Sequence, residues 1–120
     1  MFEGSFYHTE NIRQEAQEHC FEIILNPRHP VYAGHFPGQP VVPGVCSLQM
    51  IRECASRIIG KPLSIRAIQQ CKFLSPILPD RTTPILIRIS LNELEDGGYA
   101  LKATTGDTST TFLNLKATLI

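Results

Sequence analysis

At 120 residues with 42% apolar side chains, the chain is long enough for one hydrophobic core and reads as a single domain over residues 1–120. Eleven basic residues balance eleven acidic ones, which excludes a global positive field for nucleic acid or for an anionic membrane surface. The four cysteines, at positions 20, 46, 54 and 71, form no CxxC pair and are not interleaved with histidines at zinc spacing, so they read as reduced thiols with no metal expected. The first six residues lack the basic segment and apolar run of a signal peptide, and no apolar stretch approaches the ~20 residues that cross a bilayer. A cytoplasmic location is the resulting expectation.

In chain order, Ser5 to Arg13 and His19 to Leu25 carry the aromatic and β-branched positions of strands, and the polar stretch Gln14 to Glu18 fits a hairpin turn between them. Asn11 to Glu18 also fits a short polar helix. From Asn26 to Gly44 five prolines and three glycines exclude regular helix and central strand, so this is expected to be a long, stiff, ordered loop of the kind that carries function. Val45, Leu48, Ile51, Ala55 and Ile58 then recur at helical spacing, and Gly60-Lys61-Pro62 stops the run. Apolar residues at Met50, Cys54 and Ile59 widen the stripe and predict a helix enclosed over much of its surface.

Beyond Pro62 four strands are predicted: Leu63 to Leu74, Ile85 to Leu94, Tyr99 to Thr105 and Thr110 to Leu119. Turn chemistry separates them, at Pro76 to Pro84, Asp96-Gly97-Gly98 and Gly106-Asp107. A hairpin, one long helix and four strands give an antiparallel sheet wrapped around that helix, which is the hotdog arrangement of the α+β class. One copy leaves sheet edges and an incomplete pocket, so a homodimer or higher homo-oligomer is expected.

The loop ends in Gly34-His35-Phe36-Pro37-Gly38-Gln39-Pro40-Val41-Val42-Pro43-Gly44-Val45. This run fixes one histidine, three prolines and three glycines at the entry to a helix, and it resembles the signature of the FabA/FabZ-like 3-hydroxyacyl-acyl-carrier-protein dehydratases. Lys72-Phe73-Leu74-Ser75-Pro76 is a weaker echo, and Pro79-Asp80 lacks the glycine usual between such residues. The resemblance covers most of the chain from about residue 26 and implies an acyl thioester on an acyl carrier protein as substrate, with no cofactor. Neither nucleic acid nor membrane is expected as a partner.

Eliminating water from such a thioester needs a base, an acid and a donor set for the enolate oxygen. His35 is the expected base, because its unperturbed pKa lies near neutrality. The amides of Gly44 and Val45, at the helix start, are the expected donors, and a side chain at Gly44 would obstruct substrate. Phe36 and Gly38, in the same motif, are expected to line the substrate site. The family's acidic residue, fourteen positions after its histidine, falls on Gln49, and an amide positions a hydroxyl but does not protonate it.

Three readings follow. His35 both takes and returns the proton while Gln49 holds the leaving group; or Glu53, one turn further on, stands in as acid; or the protein binds or hydrolyses acyl thioesters without dehydrating them. The bland readings are a solvated or dimer-facing Glu53, core thiols at Cys46 and Cys54, core packing for Phe73, and structural or surface roles for His8, His19 and His29. Arg52, Arg57, Lys61 and Arg66 read either as a carrier-protein contact or as scattered surface charge. The loss of the acidic residue tilts the expected pathway from primary fatty-acid synthesis toward a specialised lipid or polyene route.

Overall fold

A computed structural model describes residues 2–34, 38–79 and 83–120. Its elements are β1 (Tyr7–Glu15), β2 (Glu18–Leu25), a 3-10 turn (Pro30–Ala33), α1 (Gly44–Ile59), β3 (Ile65–Phe73), β4 (Ile85–Glu93), β5 (Tyr99–Gly106) and β6 (Thr111–Leu119). The six strands form one antiparallel sheet in the order β1-β2-β4-β5-β6-β3, with α1 packed on its inner face. This is the expected α+β hotdog arrangement.

Alternation in the strands places the core. Ile85, Ile87 and Ile89 of β4 point inward with Phe21 and Ile23 of β2, and Leu101, Ala103, Leu113, Leu115 and Ala117 continue the face across β5 and β6. Met50, Ile51, Cys54 and Ala55 of α1 close over them. Each large aliphatic buried this way contributes about 1.5–3 kcal/mol.

The polar stretch at the first hairpin extends the strands instead of forming a helix: Glu15 pairs with Glu18, so only two residues turn, and Ala16 takes a positive φ of 53°. The proline-rich loop holds one 3-10 turn, which begins on Pro30 and is capped by His29 Nδ1 accepting from the Val31 amide at 3.1 Å. That turn is allowed because proline at a first helical position loses no needed donor. Gly60 ends α1 in the left-handed region at φ 87°, with its amide on the Ser56 carbonyl.

The expectation of a helix enclosed over much of its surface is corrected. Val45 is 73% exposed, and Leu48, Gln49, Arg52 and Ser56 are only partly covered, leaving one long face of α1 open. The edge strand β3 pairs only with β6, and beside it Ile68, Phe73 and Leu74 stand exposed.

Candidate functional site

The start of α1 is chemically unfinished. Pro43 occupies the cap position in extended conformation and offers no side-chain acceptor, while its carbonyl takes the Cys46 and Ser47 amides at 2.9 and 3.3 Å. The Gly44 and Val45 amides therefore reach the helix end without a side-chain cap, where the macrodipole favours a negative or carbonyl oxygen.

These amides border a cleft of about 330 Å³ lined by Val42, Gly44, Ser47, Phe73, Ile77 and Phe112 among others. Its walls are fixed by the Val42 amide on the Ile77 carbonyl at 2.9 Å and by the Leu74 amide on the Phe112 carbonyl at 2.8 Å. At Gly44 a Cβ would come within 2.8 Å of the Phe73 ring, which lies against it. Phe73 itself is 59% exposed and forms a wall of the cleft, so core packing is the wrong reading for it.

Ser47 was not legible as a site residue. It is 3% exposed, lines the cleft one turn below Gly44, and its hydroxyl has no hydrogen-bond partner among the described residues.

Further along the helix the chemistry is complete. Glu53 is only 4% exposed, and its carboxylate accepts from the Phe2 amide (2.8 Å), the Glu3 amide (3.1 Å), the Tyr7 hydroxyl (2.9 Å) and Gln49 Nε2 (2.8 Å). Burial alone would raise its pKa, but these four donors outweigh burial and hold the carboxyl below its ordinary range. Glu53 is thus not a solvated charge, and its four donors favour the ionised form. Burial in turn pushes the Tyr7 phenol up, with nearby Cys54 and Glu53 adding to it.

Gln49 belongs to this network. Its Nε2 donates to Glu53 and its Oε1 accepts from Arg52 Nε at 3.2 Å. Five residues at about 100° each carry it about 140° around the helix from Gly44, whereas Ser47 is only about 60° away. Gln49 accordingly does not line the cleft at the helix start and lies on the open face beside Val45 and Arg52.

The other expected residues divide clearly. His35 and Phe36 lie outside the described residues. Gly38 is described, exposed and left-handed at φ 79°. Cys46 and Cys54 are buried with thiols pushed up by burial, Cys54 to about 12, as core residues should be, and all four cysteines are free. Of the basic group, Arg52 bonds the Leu63 carbonyl, Arg57 bonds Thr9 and Arg66 pairs with Asp96. Lys61 sits 6.0 Å from the Tyr99 ring centroid at the edge of a second cleft of about 600 Å³, which Arg52 and Arg57 also line.

Residues 11–111, which include the whole proline-rich motif and α1, match the model of the ApeI-like family, described as ApeI dehydratase. The chain belongs to the ApeI-like dehydratase family. Among relatives, the 3-hydroxyacyl-[acyl-carrier-protein] dehydratase FabZ of Chlamydia trachomatis serovar L2 is 30% identical over 86 residues, covering 64% of this chain and 56% of that protein. The chain therefore spans only a little over half the length of the curated relatives it matches. Among solved structures, the dehydratase heterocomplex ApeI:P from Xenorhabdus doucetiae superposes with a TM-score of 0.73 at 26% identity, covering 92% of this chain and 95% of that one. The dehydratase domain from the CurK module of curacin polyketide synthase superposes with a TM-score of 0.54 at 12% identity, over 97% of this chain and 42% of that one, a likeness of fold alone. No described helix is long and apolar enough to cross a membrane.

Proposed function

We propose that this ApeI-like protein eliminates water from 3-hydroxyacyl thioesters carried on an acyl carrier protein, giving 2-enoyl thioesters. The uncapped start of α1, opening into a cleft of mixed polar and apolar lining, is the observation that carries this reading. A thioester carbonyl at the Gly44 and Val45 amides gains its enolate-like charge where two free donors and the helix dipole meet it.

His35, in the motif just ahead of this helix, takes the proton from the carbon next to the carbonyl. The electron pair moves into the carbonyl as enolate, returns to form the carbon–carbon double bond, and expels the 3-hydroxyl. His35 gives its proton to that oxygen, and water leaves. Phe36 and Gly38, in the same motif, are the further residues assigned to substrate binding.

Gln49 holds the leaving hydroxyl with its second N–H, its first being committed to Glu53. Because it lies on the open face of α1, that contact is made across an interface with a second copy. The exposed edge of β3 and the apolar surface of Val45, Ile68, Phe73 and Leu74 support such an assembly. The protein acts in the cytoplasm, without metal or cofactor, in a fatty-acid or polyene-type lipid route.

A second reading has its own support. With Gln49 an amide and Glu53 held ionised, the middle of the helix supplies no protonated carboxyl, which suits a protein that binds acyl thioesters or hydrolyses them.

Hydration of a crotonyl thioester on acyl carrier protein, followed by loss of its ultraviolet absorbance, separates the two. Turnover by the wild-type protein, lowered about 10²-fold or more in His35→Ala, is expected. A wild-type protein inert in both directions overturns the dehydratase reading, and release of free thiol from a saturated acyl thioester moves the assignment to thioesterase.

A further inference from the structure

Every other polar side chain of α1 that is buried or half-buried has an evident use. Ser56 shows how a helical serine normally satisfies itself: its hydroxyl donates to the Arg52 carbonyl four residues back at 2.9 Å and accepts from the Leu63 amide at 3.0 Å. Gln49, Arg52 and Glu53 bond one another. Ser47 departs from this pattern. The carbonyl four residues back from it belongs to Pro43, and that oxygen is already shared by the Cys46 and Ser47 amides. The hydroxyl is left without a partner in a position that is 3% exposed, against Val42, Phe73, Ile77 and Phe112.

Among the described residues the fully buried side-chain oxygens without a partner are those of Tyr32 and Thr105; the Ser47 hydroxyl is not one of them and meets the cleft that the residue lines. Its surroundings suggest what it waits for. Ser47 lies one turn below Gly44 on the same side of the helix, about 4.5 Å along the axis. A carbonyl held at the helix start leaves the acyl chain running past it into this cleft. The next polar atom along a 3-hydroxyacyl chain is the oxygen on its third carbon.

We infer that Ser47 is a specificity-determining residue whose hydroxyl hydrogen-bonds the 3-hydroxyl of the bound acyl chain, selecting 3-hydroxyacyl over saturated chains. The inference rests on the proposed placement of the thioester carbonyl at Gly44 and Val45. Within that placement Ser47 meets the leaving oxygen from inside the chain's own cleft, and Gln49 meets it from the second copy. Serine keeps its own proton throughout: it donates a hydrogen bond and positions the oxygen, and it leaves proton transfer to His35.

The test uses inert probes in which nitrogen replaces the thioester sulfur, so that the carbon-bound proton is too weakly acidic to be removed. Affinities of 3-hydroxybutyryl-amide pantetheine and butyryl-amide pantetheine are measured by calorimetry for the wild type, Ser47→Ala and Ser47→Cys. The wild type is expected to prefer the hydroxylated probe by about fivefold or more, the yield of one well-made hydrogen bond. Ser47→Ala should lose that preference while binding the butyryl probe as before, and Ser47→Cys, with a weaker donor of similar size, should fall between.

A preference that survives in Ser47→Ala, or that is missing from the wild type, overturns the inference. Turnover of the natural thioester is read separately: selective binding without turnover sinks the dehydratase reading and keeps Ser47, and turnover with unaltered selectivity in Ser47→Ala does the reverse.

Discussion

The two ends of one helix treat polar groups in opposite ways. Around Glu53 a buried carboxylate gathers the chain's second and third amides, a tyrosine and a glutamine. From Pro43 to Ser47 two amides lack a side-chain cap, and the Ser47 hydroxyl, without a side-chain or backbone partner among the described residues, lies beside the same open cleft. A satisfied network stabilises the fold, whereas unsatisfied groups facing a cleft are stabilised only by what enters it. The contrast assigns a structural role to Glu53 and ligand binding to the start of α1.

The largest expected effect breaks the satisfied half. Glu53→Ala strands four donors in a buried place and should cost about 3 kcal/mol in denaturant unfolding. The pH dependence follows from the lowered pKa of this carboxyl. Its folded pKa lies below the unfolded one, so its stabilisation is complete above the ordinary carboxylate range and is lost as pH falls through the folded value. An acid titration of the wild type should show that loss, and Glu53→Gln should flatten it.

Gln49→Glu sharpens the contrast from within the same network. It replaces an amide that donates to Glu53 at 2.8 Å with a second carboxyl, and two carboxylates at that distance do not both ionise. The new group's pKa rises, so stability should fall by about 1–2 kcal/mol as pH is raised from about 5 to 8, read as a drop in unfolding midpoint. The same retained proton supplies the acid that the natural protein lacks, and turnover should rise in the lower half of that pH range.

At the helix start the stability effects are smaller. Gly44→Ala drives a Cβ against the Phe73 ring, which is exposed enough to swing aside, so a cost of about 1 kcal/mol is expected and Phe73→Ala should restore it. Ser47→Ala should leave stability unchanged or raise it by less than about 1 kcal/mol, because it removes a hydroxyl that the free protein does not satisfy. A clear loss in that variant would mean that the hydroxyl is bonded within the fold.

Much of the fold was legible because it depends on neighbours in sequence. Gly60 stops the helix where a left-handed residue is needed, and the alternating isoleucines of β4 point to the core as their spacing requires. The hairpin between β1 and β2 ran two residues further than its polar composition suggested, because cross-strand pairing of Gln14 with His19 and Glu15 with Glu18 outweighed local preference. The site was less legible. Glu53 read as a surface charge because three of its four donors come from residues 2, 3 and 7, brought to it only by the fold. Ser47 carried no signal in the sequence, because the segment around Ile77 and strand β6 brings the cleft to it only in the fold. The motif from Gly34 to Val45 identified the helix start, and it could not say that Gln49 faces away from it.

The most direct test follows the backbone amides of uniformly 15N-labelled protein by NMR as 3-hydroxybutyryl-amide pantetheine is added. Gly44 and Val45 should move downfield with saturating dose dependence, as amides do on gaining a carbonyl acceptor, while the amides around Glu53 stay in place. Unmoved Gly44 and Val45, with shifts instead around Arg57 to Lys61 and the larger cleft there, would contradict the placement of the thioester at the start of the helix.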